Sequence, residues 1–126
     1  MLFRSRAVAR MPVMVTGGFR TASGMVEALE AEELDLIGIG RPLIADPSIP
    51  SRLIAGELEK APTPEATLDV FHLLPWCYMQ IERMGNGLEP DLTLSGQAAA
   101  EQFMVVETAY MARLLERRGA EQVGAR

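Results

Sequence analysis

Only two strand-like runs occur in this chain, Pro12-Val13-Met14-Val15-Thr16 and Leu34-Asp35-Leu36-Ile37-Gly38-Ile39, and each runs straight into glycine: Gly17-Gly18 after the first, Gly40 after the second. One helix-length stretch lies between them. A crossover of that length returns the chain in the same direction with right-handed geometry, so the two strands are predicted to be parallel neighbours. Residues 13–16 are apolar or β-branched without two-residue alternation, the pattern of a strand covered on both faces. Two such strands do not make a stable sheet, because a parallel sheet wants further strands on both sides. The predicted class is therefore α/β, and the pattern belongs to one part of a larger sheet or barrel.

Both glycine turns fall at the same edge of that sheet. Backbone N–H groups without side chains in front of them approach an anion closely, and glycine permits that approach. In eight-stranded barrels the loops after the seventh and eighth strands frequently form a phosphate site, and two consecutive glycine turns followed by a helical tail supply such a pair. Gly17, Gly18, Gly40 and Arg41 are thus the candidate anion-binding residues. Arg41 adds a fixed positive charge and a planar guanidinium able to pair with phosphate or lie against a ring. Two plainer readings stand beside this one: Gly17-Gly18 as a tight strand-to-helix turn, and Arg41 as the ion-pair partner of Asp46. Gly38-Ile39-Gly40 does not make a dinucleotide fingerprint, since its first glycine lies inside the strand and no third glycine opens the next helix.

Composition narrows the partners. The 126 residues are enough for one core, and 48% apolar with 23% charged residues is globular composition. A net charge of -5 argues against nucleic acid, which needs a basic face. No apolar run approaches the ~20 residues of a membrane span. Residues 1–26 carry Arg4, Arg6, Arg10 and Arg20 and no acid, as an organellar transit segment would. Leu2, Phe3, Ala7 and Val8 instead fit one face of a short helix feeding the first strand, which favours a cytoplasmic protein. A single cysteine, Cys77, excludes an internal disulfide and points to a reducing compartment. A single histidine, His72, excludes a two-histidine metal site. Both flank Pro75-Trp76 in an apolar stretch, where a packing role is expected.

Thr21 is predicted to cap a helix over residues 22–32, burying Met25, Val26 and Leu29. Asp46-Pro47 and Ile49-Pro50 read as starts of short helices, the second ending near Gly56. Ala61-Pro62-Thr63-Pro64 reads as a linker, dividing an α/β part, residues 1–60, from a helical part, residues 61–126. In the latter, helices are predicted from Thr63-Pro64 to about residue 73, from Pro75 to Gly85, and over residues 97–118 with Phe103, Val106, Tyr110 and Leu114 as a packed stripe.

Pro12-Val13-Met14-Val15-Thr16-Gly17-Gly18-Phe19-Arg20, followed by Asp35-Leu36-Ile37-Gly38-Ile39-Gly40-Arg41-Pro42-Leu43-Ile44-Ala45-Asp46-Pro47, resembles the last two βα units of the Old Yellow Enzyme family. These are FMN-dependent NAD(P)H:flavin oxidoreductases and ene-reductases on an eight-stranded TIM barrel. The resemblance covers about residues 1–57 and implies a C-terminal fragment of such a barrel with a helical extension packed on it. It implies that amides around Gly17-Gly18 and Gly40-Arg41 hold the FMN phosphate, with Arg41 near the flavin. It also implies that the substrate-binding and proton-donating residues come from earlier strands, so the isolated chain is expected to be non-catalytic. Cys77 alone cannot hold the iron–sulfur cluster of one branch of the family. The 2-hydroxy-acid oxidases, another FMN barrel with similar turns, are the alternative family. A non-catalytic barrel remnant is the alternative role. The expected partners are the missing N-terminal barrel portion or another copy of the chain.

Overall fold

A computed structural model describes residues 8–124, with side chains described through residue 119. The readings made at Leu2, Phe3, Arg4, Arg6 and Ala7 lie outside the described residues, and Val8 is exposed. The chain divides into two compact units, Met1–Glu65 and Ala66–Arg126.

In the first unit, strands β1 (Met14–Thr16) and β2 (Leu36–Gly38) pair in parallel, with Met14 opposite Leu36, Val15 opposite Ile37 and Thr16 opposite Gly38. Asp35 ties off the start of the pair. Its carboxylate accepts from the Val13 N–H at 2.8 Å, and its own N–H donates to the Val13 carbonyl at 2.9 Å. Helix α1 (Ala22–Glu30) forms the crossover, and the Thr21 hydroxyl accepts from the Gly24 N–H, as a capping threonine should. The helix stops two residues early because Glu32 adopts φ 53°. The N–H groups of Glu32 and Glu33 then return to the carbonyls of Leu29 and Ala28, closing the helix end.

The strands are not covered on both faces. Met14 is 59% and Leu36 55% exposed, because alternation turns them away from α1 and no second layer lies over them among the described residues. Val26 and Leu29, expected to be buried, are exposed too. They line an open apolar groove of about 370 Å³ together with Met25, Ile37, Leu53 and Ile54.

The short helices after β2 are α2 (Arg41–Ala45) and α3 (Ile49–Ile54). Asp46-Pro47 therefore does not open a helix as expected. Pro42, whose preset φ and missing N–H suit a first turn, starts α2 earlier. Asp46 closes α2, and its carboxylate accepts from the Ser48 N–H (2.8 Å) and hydroxyl (2.6 Å), turning the chain into α3. Gly56, with φ 72°, follows the end of α3 as expected.

The second unit is a helical hairpin of α4 (Val70–Gly85) and α5 (Gly96–Gly124). Only a single 3-10 turn forms at Pro64–Thr67, and α4 begins at Val70 and runs through Pro75 rather than starting there. Asp69 decides this. Its carboxylate accepts from the N–H groups of Phe71 (2.9 Å) and His72 (3.1 Å), a cap that starts the helix ahead of the proline. Trp76, Met79 and Gln80 are buried. The Trp76 indole N–H donates to the Leu94 carbonyl at 3.0 Å, and the Gln80 amide bridges the Asp91 carbonyl (2.8 Å) and N–H (2.7 Å). His72 has a packing role, its Cβ lying where a side chain on Gly96 would have to go. The stripe on α5 is only partly packed: Phe103 meets Tyr78 at 5.4 Å between ring centroids, whereas Val106 and Tyr110 are exposed. The 29-residue α5 outruns the 16-residue α4, leaving its far half without a partner helix.

Two carboxylates brace this hairpin in a pH-dependent way. The His72 ring, then the N–H groups of His72 and Phe71, hold Asp69 below the ordinary 3.8, and the Thr93 hydroxyl and N–H do the same for Asp91. A carboxyl with a depressed folded pKa stabilises above its unfolded value and loses that stabilisation as pH falls through the folded one. Helicity followed by circular dichroism is thus expected to weaken below about pH 4, and the Asp69→Asn/Asp91→Asn double variant should show a shallower acid dependence than the parent.

Candidate functional site

The two glycine turns lie side by side because β1 and β2 are parallel neighbours in register. Gly17 and Gly18 have φ of 98° and 84°, backbone that side chains rarely adopt. The Gly17 N–H donates to the Gly38 carbonyl at 3.4 Å, stitching the first turn to the end of the second strand. A Cβ added at Gly17, Gly18 or Gly40 would meet nothing within 4 Å, so open space lies over all three. The N–H groups of Gly18 and Gly40 donate to nothing among the described residues. Gly40 caps α2 with no side chain in front, and Arg41 follows as the first helical residue.

Arg41 is exposed and makes no ion pair among the described residues. The Asp46 pairing is not formed. Asp46 is engaged instead by Ser48, then by Arg52 at 2.8 Å, and these contacts hold its carboxyl below the ordinary value. The Arg41 guanidinium is consequently available to an external anion.

The first turn is also braced from behind by residues 59–65, a feature no sequence signal disclosed. Ala22 N–H donates to the Glu59 carbonyl (2.9 Å) and Ala61 N–H to the Arg20 carbonyl (2.7 Å). Thr21 and Lys60 form an antiparallel bridge. Arg20 pairs with the buried Glu65, whose second oxygen has no partner. Glu65 reads as a solvated acid in the first turn of a helix opening at Thr63-Pro64, so nothing in the pattern marked it. Gly38 is the other omission. A Cβ there would sit 2.0 Å from the Thr16 hydroxyl and 2.8 Å from the Thr16 Cβ, so the close approach of β1 requires glycine.

The residues that build this site lie within residues 2–60, which match the model of the NADH:flavin oxidoreductase / NADH oxidase family. This segment, just under half of the chain, is similar to that family. The flavin oxidoreductase match bears out the resemblance read from the two turns, and the 2-hydroxy-acid oxidase alternative gives way to it.

Among curated relatives, the NADH-dependent flavin oxidoreductase iliE of Neonectria sp. is 36% identical over 37% of this chain and 6% of its own length. The NADH-dependent flavin oxidoreductase nadA of Aspergillus parasiticus is 27% identical over 85% of this chain and 24% of its own. For iccE of Talaromyces variabilis, of the same description, the figures are 34%, 35% and 11%. The chain therefore spans at most about a quarter of the length of these relatives. No solved structure matches it. Among the described residues, no helix is long and apolar enough to cross a membrane, and no cluster of His, Cys, Asp or Glu is placed to hold a metal ion.

Proposed function

We propose that this chain supplies the phosphate-holding end of an FMN site, as the last two βα units of an eight-stranded flavin oxidoreductase barrel, with residues 61–126 as a helical extension. The observation that carries this reading is the pair of unobstructed glycine turns, Gly17-Gly18 and Gly40, at the same end of two parallel neighbours. Open Cβ space and undonated N–H groups suit a phosphate, and the unpaired Arg41 supplies the charge. When bound, a flavin exchanges hydride with a nicotinamide and an acceptor.

The chain's own part in that chemistry is binding and orientation. Amides at Gly18 and Gly40 and the Arg41 guanidinium would hold the phosphate, while the brace from residues 59–65 keeps the first turn in place. The exposed face of Met14 and Leu36 and the open sheet edges mark where the remaining strands, or another chain, would pack. The groups that bind substrate and donate a proton belong to those absent strands, so the chain alone is expected to show no NAD(P)H-dependent reduction of an electron-poor alkene. Steady turnover by the purified chain would refute that expectation.

The phosphate reading has its own test. Phosphorus NMR of FMN titrated with the full chain should show the phosphate resonance shift or broaden, while riboflavin gives no competing effect on it. Arg41→Ala should weaken the response by about 10–100-fold, the loss of a charge-assisted hydrogen bond. An unperturbed phosphate resonance at millimolar chain would sink the proposal.

A further inference from the structure

The hairpin of α4 and α5 carries an apolar face that nothing in the flavin reading uses. On α4, Phe71, Leu74, Tyr78 and Ile81 follow one another at spacings of three, four and three residues, the seam of a helix that packs on another helix. They are 84%, 58%, 50% and 50% exposed. At about 100° per residue they lie roughly 140–220° around the helix from Trp76, whose side is already closed by the loop through Leu94. On α5, Gln102 lines a recess with Asp91 and Leu94 on that same loop side. Met104, Met111 and Leu115, also more than half exposed, lie roughly 180–220° around from Gln102. The Tyr78–Phe103 ring contact joins the two seams at their shared edge. Both helices thus present apolar side chains on the surface opposite the loop.

We propose that this surface is a self-association interface, on which two copies of the chain pair their hairpins about a two-fold axis into a four-helix bundle. Area supports a second copy. Using ~150–250 Å² for each aromatic ring and ~60–120 Å² for each aliphatic side chain, the exposed fractions amount to roughly 370–670 Å² of apolar surface. A standard interface of ~800 Å² per partner needs roughly 450–520 Å² of apolar surface. Charge supports an antiparallel crossing of the two α5 helices. Glu101 and Glu107 precede Met111, whereas Arg113, Arg117 and Arg118 outnumber Glu116 and Glu121 after it. Antiparallel copies bring the acidic half of one helix against the basic half of the other, and a two-fold axis makes each such contact twice. The pairing also covers the part of α5 that outruns α4. This inference stands apart from the flavin reading, because none of its residues belongs to the glycine turns.

Sedimentation of the full chain across the micromolar range tests it. The parent chain is expected to be a dimer with a micromolar Kd. Leu74→Glu and Met111→Glu should each weaken it at least ~30-fold, the factor carried by a hot-spot residue. Both positions are exposed, so circular dichroism should show unchanged helicity. Leu36→Glu, on the open sheet face, should leave the dimer intact. A chain that stays monomeric at ~100 μM overturns the proposal. So does a dimer that survives both helical variants yet is lost with Leu36→Glu, which would assign association to the sheet.

Discussion

Trp76→Ala is expected to lower the stability of the helical unit by about 3–5 kcal/mol, enough to lose much of its cooperative unfolding transition. Trp76 is 2% exposed, and its indole N–H is the bond that fixes the Leu94 carbonyl. Truncation removes the largest apolar group of this core and leaves that carbonyl to find another donor or water, which adds a desolvation penalty to the cavity. Little else compensates. The buried neighbours are Met79, Gln80 and Ala99, of which only Gln80 also reaches the loop, through Asp91. Urea titration followed by far-UV circular dichroism reads the loss, since the variant has no tryptophan left to report by fluorescence. Trp76→Phe, which keeps most of the ring volume but not the N–H, should recover more than half of the loss if packing dominates. A Trp76→Ala chain as stable as the parent would show that the loop is held by Gln80 alone.

The βαβ order, the parallel pairing and the two glycine turns were legible in sequence because each rests on local chemistry. Strand-to-glycine junctions need positive φ or open backbone, and Thr21 announces its helix by capping it. Starts and stops that depend on competition between neighbouring signals were not legible. Pro42 outcompeted Asp46-Pro47 as a helix start, and the two bonds accepted by Asp69 outweighed the break expected at Pro75. Burial was overestimated wherever it needs a partner. Val26, Leu29, Met14 and Tyr110 all lie on apolar stripes, yet a stripe states only that something should cover it. The brace from Glu59, Ala61 and Glu65 was invisible for a further reason: long-range backbone pairing leaves no residue pattern in so short a segment. Even the site residues divide this way, with Arg41 marked by charge type and Gly38 overlooked inside its strand.

Gly38 is where fold and candidate site are coupled most tightly, and Gly38→Val should disable both. Glycine in a strand interior ordinarily costs roughly 0.5–1 kcal/mol relative to alanine, so on propensity alone a side chain there would stabilise. The local geometry reverses the sign. The first added carbon meets the Thr16 hydroxyl at 2.0 Å and the Thr16 Cβ at 2.8 Å, and the latter is fixed to the β1 backbone. Relief requires the strands to separate, at about 1–3 kcal/mol or more for overpacking. That separation acts first on the Gly17 N–H, already at a long 3.4 Å from the Gly38 carbonyl, and so loosens the turn that places Gly17 and Gly18 opposite Gly40. The expected result is a lower urea midpoint together with loss of the FMN phosphate signal. Thr16→Ala in the same background removes the hydroxyl at 2.0 Å but not the Cβ, so it should restore stability in part. Full retention of both stability and phosphate response in Gly38→Val would mean that β1 and β2 yield freely, and that the turns do not depend on the strand register for their alignment.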